Sequence, residues 1–289
     1  MTAGDIAVVK CGGAATLDPA AACADVAGLV AAGRSVVLVH GGSADIARLG
    51  AALRVPMRRM THPDGYSARY TDSATLEVVT LALTGAVSPR LVTALLAAGV
   101  PAVGLSGLDG ALLRARRRAA QRAVSGGRPV VVRGDHSGQI MAVNTGLLGT
   151  LLAAGLVPVL SPPALAQDGT AVNADADRVA AAVAVALRAA TLILLTAAPG
   201  VLADPADPAS LLPACVLPRR GPPPQRGGGI AVKLLAARDA LLGGVPQVII
   251  ADGGRPRPVQ AALGGAGTRL TLAEAGPAPA SRRAPAGAR

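Results

Sequence analysis

The chain has 289 residues, 51% of them hydrophobic, and a formal charge of +11 at pH 7. That suffices for one large α/β domain or two closely joined lobes, while no apolar run reaches the roughly 18–20 uninterrupted residues of a membrane span. The basic balance raises nucleic acid as a partner. With no Phe, no Trp and two Tyr (Tyr66, Tyr70), however, the chain lacks the rings on which bases stack. The N-terminal Met-Thr-Ala-Gly-Asp lacks the basic and apolar regions of a signal peptide. A cytoplasmic protein with no nucleic-acid or membrane partner is expected.

In chain order, Ile6–Val9 reads as a buried strand ending at Lys10-Cys11-Gly12-Gly13, and Pro19–Ala32 as a helix closed by Gly33. Val36–Val39 is a second strand ending at His40-Gly41-Gly42-Ser43, followed by a helix over Ala44–Leu53. Met57–Tyr70 predicts a hairpin with Pro63-Asp64-Gly65 as its turn. Thr71 or Asp72 then caps a helix to Leu83, Pro89–Ala98 is another helix, and Ala102–Leu105 is a strand. The Arg-rich stretch Leu112–Val143, punctuated by Ser125-Gly126-Gly127 and Ser137-Gly138, predicts antiparallel ribbons projecting from the sheet. After it come a helix (Asn144–Ala154), a strand (Val157–Leu160), a Pro-rich loop, a helix (Asp175–Leu187) and a strand (Thr191–Leu195). Residues 204–229 predict a long loop, Ile230–Leu242 a helix, Val245–Ala251 a strand and Thr268–Leu272 an edge strand. Residues 273–289 carry the composition of a disordered tail. Short apolar runs alternating with amphipathic segments define an α/β, three-layer αβα sandwich around a mostly parallel sheet.

Cys11, Cys23 and Cys215 have no metal-like spacing and read as buried or turn thiols. His40, His62 and His136 are scattered, so no metal ligand is expected from the protein. Of the 28 Lys and Arg residues only Lys10 and Lys233 are lysine. In a composition drifting toward Arg, Ala, Gly and Pro, a surviving lysine marks a position where a compact ammonium suits and a planar guanidinium does not. Lys10 ends an interior strand, where a charge is costly unless it faces a site. Lys233 falls in the first turn of its predicted helix, where a cation opposes the helix dipole unless it faces an anion. Gly12-Gly13 and Gly41-Gly42 follow adjacent strands, where backbone N–H groups reach an anion closely. The pattern is neither a P-loop nor GxGxxG. Asn173-Ala174-Asp175 opens a helix, and its Asn and Asp are also ordinary caps.

These segments resemble the amino acid kinases, and within them the LysW-type kinases that act on aminoadipate or glutamate held by an amino-group carrier protein, with N-acetylglutamate kinase a near relative. The resemblance runs from about residue 6 to 270. It rests on Val-Val-Lys10-Cys-Gly12-Gly13, Val-His-Gly41-Gly42-Ser43, Thr61-His62-Pro63, Ser67-Ala68-Arg69-Tyr70-Thr71-Asp72, the Gly104–Gly110 stretch through Asp109, Asn173-Ala-Asp175, Pro199-Gly200-Val-Leu and Gly229-Ile-Ala-Val-Lys233. By that resemblance Lys10 and Lys233 flank the transferred phosphoryl group and Asp175 orients both ammonium groups. Gly41, Gly42, Arg69 and Asn173 bind the substrate; Gly12, Gly13, Thr196, Gly200 and Gly229 bind phosphate or nucleotide. Residues 1–180 then form the amino-acid lobe and 181–272 the nucleotide lobe on a shared sheet. ATP with Mg²⁺, an acidic carrier protein and a homodimer are implied. Arg114, Arg116, Arg117 and Arg118 are candidates for docking the carrier. The chain departs from the family pattern at Ala197-Ala198, at Ile230 and at Ala171, the last counting against free acetylglutamate as substrate. The alternatives are an N-acetylglutamate kinase acting on the free molecule, and a non-catalytic amino-acid sensor built on the same fold.

Overall fold

The computed structural model describes residues 6–13, 19–62, 67–118, 120–125, 127–225 and 228–274. The expected turn Pro63-Asp64-Gly65, Tyr66, Gly126, Gly227 and the tail from residue 275 lie outside the described residues.

Strands β1 (Ile6–Cys11), β2 (Ser35–His40) and β12 (Thr191–Thr196) form the centre of an eleven-stranded sheet. β1 pairs in parallel with both of the others, Lys10 lying opposite Val39 on one side and Leu194 on the other. β1 is buried along its whole length, as strands covered on both faces must be. Beyond β12 come β14 (Gln247–Asp252), β15 (Thr268–Leu272) and β13 (Ala214–Leu217); beyond β2 come β10 (Val157–Ala166), β6 (Leu113–Arg117) and β9 (Gly138–Val143). β5 (Ala102–Gly107) and β11 (Ala171–Val172) also pair with β10.

Alternation along the strands sorts side chains into two cores, one on each face. Val8, Val39, Leu192 and Leu194 pack with α5 (Thr145–Ala153), α6 (Ala176–Ala186) and α7 (Gly228–Leu242). Val9, Leu38, Ile193 and Leu195 pack with α1 (Pro19–Ala31), α2 (Ser43–Ala52), α3 (Ser73–Thr80), α4 (Ser88–Ala97) and α8 (Pro258–Leu263). The expected three-layer sandwich results. The Arg-rich ribbons are present too: β6 pairs antiparallel with β9, and β7 (Ala120–Ser125) pairs with β8 (Arg128–Arg133). β7 joins β3 (Arg59–Thr61) and β4 (Ser67–Arg69) in a separate four-stranded sheet, ordered β4-β3-β7-β8.

Four local expectations need correction. The two helices expected on either side of Pro89 are one continuous rod, Ser73–Ala97, with a π-helical stretch at Leu81–Val87. Pro89 has no N–H to give, and just before it the ladder widens, the Ser88 N–H reaching Leu83 O. By length and composition this rod could cross a bilayer; it packs instead against α1, α2 and β5. The Pro-rich loop after Leu160 is strand: β10 continues to Ala166. Its registered partners stop at Ser161 and resume at Ala164, so Pro162 and Pro163 cost no ladder hydrogen bond. The long loop of residues 204–229 contains β13, which takes the edge position expected of β15. Finally, α7 begins at Gly228, which places Lys233 in its second turn, where the helix dipole acts less on it.

Candidate active site

Because side chains alternate along β1, Lys10 shares a face with Ile6 and Val8, the face on which α6 and α7 lie. α6 and α7 pack against each other, which brings Asp177 in the first turn of α6 toward Lys233 on α7. Lys10 Nζ lies 2.8 Å from Asp177 Oδ1, and Lys233 Nζ lies 2.8 Å from Asp177 Oδ2. The Lys233 contact is a directed hydrogen bond; the Lys10 contact is an ion pair. The side chains are only 6%, 11% and 7% exposed for Lys10, Lys233 and Asp177, so the three charges interact in a medium that screens them weakly.

The role expected of Asp175 therefore belongs, in geometry, to Asp177. Asp175 caps α6: its Oδ1 accepts the N–H groups of Asp177 and Arg178, both at 3.0 Å. It still lines the same cavity as the two lysines. The Asn-Ala-Asp-Ala-Asp spacing held the signal: when Asp175 caps, the next acid falls inside the helix and is free to turn toward β1.

Burial and neighbours pull the four groups apart. For Asp177, burial raises the carboxyl, but Lys10 and Lys233 outweigh it and hold it below the usual range. Burial and the like charge of Asp177 push Asp175 up. Burial alone would lower Lys10, yet Asp177 and then Asp175 leave its ammonium above the ordinary lysine value. Lys233 ends below it, through burial reinforced by the repulsion of Lys10. A carboxylate shared by two ammonium groups leaves positive charge turned toward the cavity.

The two glycine turns meet in front of this cluster. A Cβ on Gly13 would stand 2.4 Å from Gly42 N and 2.5 Å from Ser43 N, so glycine is required there. Ser43 Oγ donates to Gly13 O at 2.7 Å, and Ala44 N donates to the same oxygen at 2.9 Å. Gly42 precedes α2, so the N-terminus of α2 opens beside Gly13. Gly13 and the two lysines line a cavity of about 350 Å³ that also includes Gly12, Ser43, Thr196 and Gly229. Gly200 is not among its lining residues. A Cβ there would strike Thr268 Oγ1 at 2.6 Å, so packing explains that glycine.

Two arginines enter the same cavity from the four-stranded sheet. Arg59 and Arg69 are direct cross-strand partners of β3 and β4, and both line it. Like charges placed opposite each other on a sheet destabilise it. Arg59 is fixed by Ser67, through Nε to Oγ at 3.1 Å and Nη2 to the carbonyl at 2.9 Å. Burial first, then Arg59, lowers Arg69, and its guanidinium has no hydrogen bond or ion pair among the described residues. The pair makes physical sense facing an anion. Arg59 was missed in the sequence because nothing in one chain distinguishes it from the other arginines.

A second cavity, about 810 Å³, shares Ser43, Ala68, Arg69 and Asp175 with the first. It is lined by Gly41, Gly42, Asn173 and, from the ribbon, Arg116 and Arg118. Of the four candidate docking arginines, then, two face this opening. Arg114 is exposed but lines neither cavity, and Arg117 turns inward to donate Nε to Asp135 O at 3.0 Å. Ala171 lies on β11 and lines neither cavity. Among the described residues no group of three or more His, Cys, Asp or Glu stands close enough to hold a metal ion.

The arrangement gathers backbone N–H groups, two ammonium groups and two guanidinium groups at the C-terminal ends of parallel strands. The amino acid kinase family model matches residues 5–252, and the chain belongs to that family. It is 43% identical over 268 residues to a LysW-aminoadipate kinase of Deinococcus radiodurans, covering 90% of each chain. Identity to the enzyme so named in Thermus thermophilus is 41% over 264 residues, 90% of this chain and 98% of that one. An acetylglutamate kinase of Rubrobacter xylanophilus is 41% identical over 258 residues, 89% and 93% of the two chains. Among solved structures, an N-acetylglutamate synthase of Neisseria gonorrhoeae superposes with a TM-score of 0.72 at 27% identity, over 94% of this chain and 60% of that one.

Proposed function

We propose that this protein transfers a phosphoryl group from ATP to the side-chain carboxylate of 2-aminoadipate, glutamate or an analogue held on an acidic amino-group carrier protein, giving an acyl phosphate. The observation that carries this reading is the 43% identity, over nine-tenths of the chain, to a LysW-aminoadipate kinase. The residues present fit a nucleotide's phosphates: Gly12, Gly13, Ser43 and Gly229 line one cavity beside two ammonium groups that share one carboxylate. ATP supplies the phosphoryl group, and Mg²⁺ accompanies it, held largely by its phosphates.

The chain contributes position and charge, which is most of what phosphoryl transfer asks of a protein. Arg69 and Asn173 grip the acceptor in the larger cavity, and Gly42 offers its N–H group to its carboxylate, while the Gly41 N–H is given to Cys11 O at 3.3 Å and only lines the cavity. That carboxylate is already ionised near neutral pH, about three units above its ordinary pKa, so no general base is needed. Lys10 and Lys233 neutralise charge that spreads over the transferring oxygens, and Asp177 holds both in place. Residues 1–180 serve the acceptor and 181–272 the nucleotide. Arg116 and Arg118 meet the acidic carrier at the cavity mouth, where charge complementarity speeds encounter. The enzyme works in the cytoplasm as a homodimer.

The 41% identity to an acetylglutamate kinase favours a second reading, the free N-acetylated amino acid as acceptor. Purified enzyme is given ATP, Mg²⁺ and either carrier protein loaded with 2-aminoadipate or free acetylglutamate, and acyl phosphate is trapped as hydroxamate. Hydroxamate on the carrier is the expected result. Turnover of acetylglutamate alone selects the second reading, and no turnover of either sinks both.

A further inference from the structure

Asp135, in the turn between β8 and β9, is 2% exposed and takes no part in the phosphoryl chemistry above. A buried carboxylate is costly unless donors surround it, and here they come from separate segments. Oδ1 accepts the Thr71 N–H at 2.8 Å and the Ser137 hydroxyl at 3.2 Å. Oδ2 accepts from Gln121 Nε2, on β7 of the ribbon. The Asp135 carbonyl accepts Arg117 Nε, at the end of β6. The next residue continues the tie: His136 N donates to Thr71 O at 2.6 Å, and Asn173 N donates to His136 O at 2.8 Å. Asn173 Nδ2 in turn reaches Thr71 Oγ1 at 3.5 Å.

One carboxylate thus joins the strand carrying Arg69, two residues before Thr71, to the turn that fixes Asn173 and to the ribbon carrying Gln121. Gln121 itself lines the larger cavity beside Arg116 and Arg118. β7 and β8 belong to the four-stranded sheet, while β6, β9 and β11 belong to the eleven-stranded one. The tie therefore crosses between sheets at the point where the acceptor cavity lies between them.

We infer that Asp135 is a positioning residue that sets the acceptor pocket, holding Arg69 and Asn173 in register with the basic ribbon so that acceptor affinity depends on it and nucleotide affinity does not. This rests on the acceptor reading of the larger cavity. Asp135→Asn removes the charge that strengthens the bonds from Thr71, Ser137 and Gln121, and turns an amide donor toward Gln121 that its Nε2 can meet only by giving way to Oε1. Asp135→Asn with Gln121→Glu reverses donor and acceptor across the bond to Gln121 at unchanged net charge.

The test measures KM for aminoadipate-loaded carrier, KM for ATP, kcat and Tm in both variants, with hydrogen exchange of the Thr71 and β7 amides. In Asp135→Asn the acceptor KM should rise about tenfold, as weakening these buried hydrogen bonds implies. KM for ATP and kcat should stay within about twofold by the same argument. The double variant should recover most of the acceptor KM, and the Thr71 and β7 amides should exchange faster only in the single variant. An unchanged acceptor KM, a parallel loss in ATP KM and Tm, or a double variant no better than the single overturns the inference. If the wild type turns over no loaded carrier, the acceptor reading has failed separately. Exchange then decides the tie alone, and unaltered exchange in Asp135→Asn overturns it.

Discussion

Asp177→Asn is the substitution on which the reading of the clamp turns. Two ammonium groups each stand 2.8 Å from one of its oxygens, with all three side chains no more than 11% exposed. At an effective dielectric near 20, each pair is worth about 6 kcal/mol of Coulomb attraction, much of it spent on desolvation. Removing one partner of such a buried set leaves uncompensated charge and costs about 3–5 kcal/mol. Asparagine keeps the shape but leaves Lys10 and Lys233 facing each other, so both stability and turnover should fall. Urea unfolding should show a loss in that range, and the hydroxamate assay a drop in kcat of about 10²–10³-fold, comparable to removing a transition-state donor. Asp175→Asn is the control. Asparagine caps a helix as well as aspartate, so stability should move by no more than about 0.5 kcal/mol, within the range of a neutral substitution, and turnover should be far less affected. The pH dependence has a definite sign. Asp177 is depressed in the fold, so its stabilisation is present above the ordinary carboxylate pKa and is lost only as pH falls through the depressed value. If Asp175→Asn proves crippled while Asp177→Asn keeps near-normal turnover, the clamp seen here is not the reacting arrangement.

Lys233, depressed by burial and by Lys10, loses its proton at lower pH than an ordinary lysine. The alkaline limb of kcat should therefore fall below the 10.5 reference value, and Lys233→Arg should remove that limb at a lower plateau rate. Gly13→Ala must displace backbone at Gly42 and Ser43; a loss of about 1–3 kcal/mol is expected by denaturation, with activity reduced at least tenfold, and unchanged activity would show that the turn has slack. Arg59→Ala relieves a like-charge pair, so Tm should hold or rise slightly while KM for ATP or acceptor increases; unchanged kinetics would remove Arg59 from the site. Arg116→Ala with Arg118→Ala should slow carrier association in a salt-dependent way, read by stopped-flow at two ionic strengths, whereas Arg114→Ala should not.

The layer order was legible because buried parallel strands leave unbroken apolar runs, as in Ile6–Val9 and Thr191–Leu195. The ribbons were legible from glycine-punctuated arginines. What escaped were features that depend on partners distant in sequence. Pro162 and Pro163 look like breakers until β10 is seen to change neighbours there. Asp25 gives no hint that it accepts the Val259 and Gln260 N–H groups, at 2.6 and 2.8 Å, and so anchors α8, which the sequence reading missed. Within the site, Lys10, Lys233 and the glycine turns stood out by type and position. Choosing between Asp175 and Asp177 required knowing at which residue the helix begins.

The scarcity of lysine has a practical side. Apart from its α-amino group, the chain offers an amine-selective reagent only two targets, both nearly buried and both bound to one carboxylate. Acylating either one abolishes a charge of this buried cluster. In this protein an ordinarily indiscriminate chemistry becomes a reporter of a single place. The rate at which amines become modified measures how often the clamp opens, and its slowing by any added compound measures occupancy of the cavity in front of it.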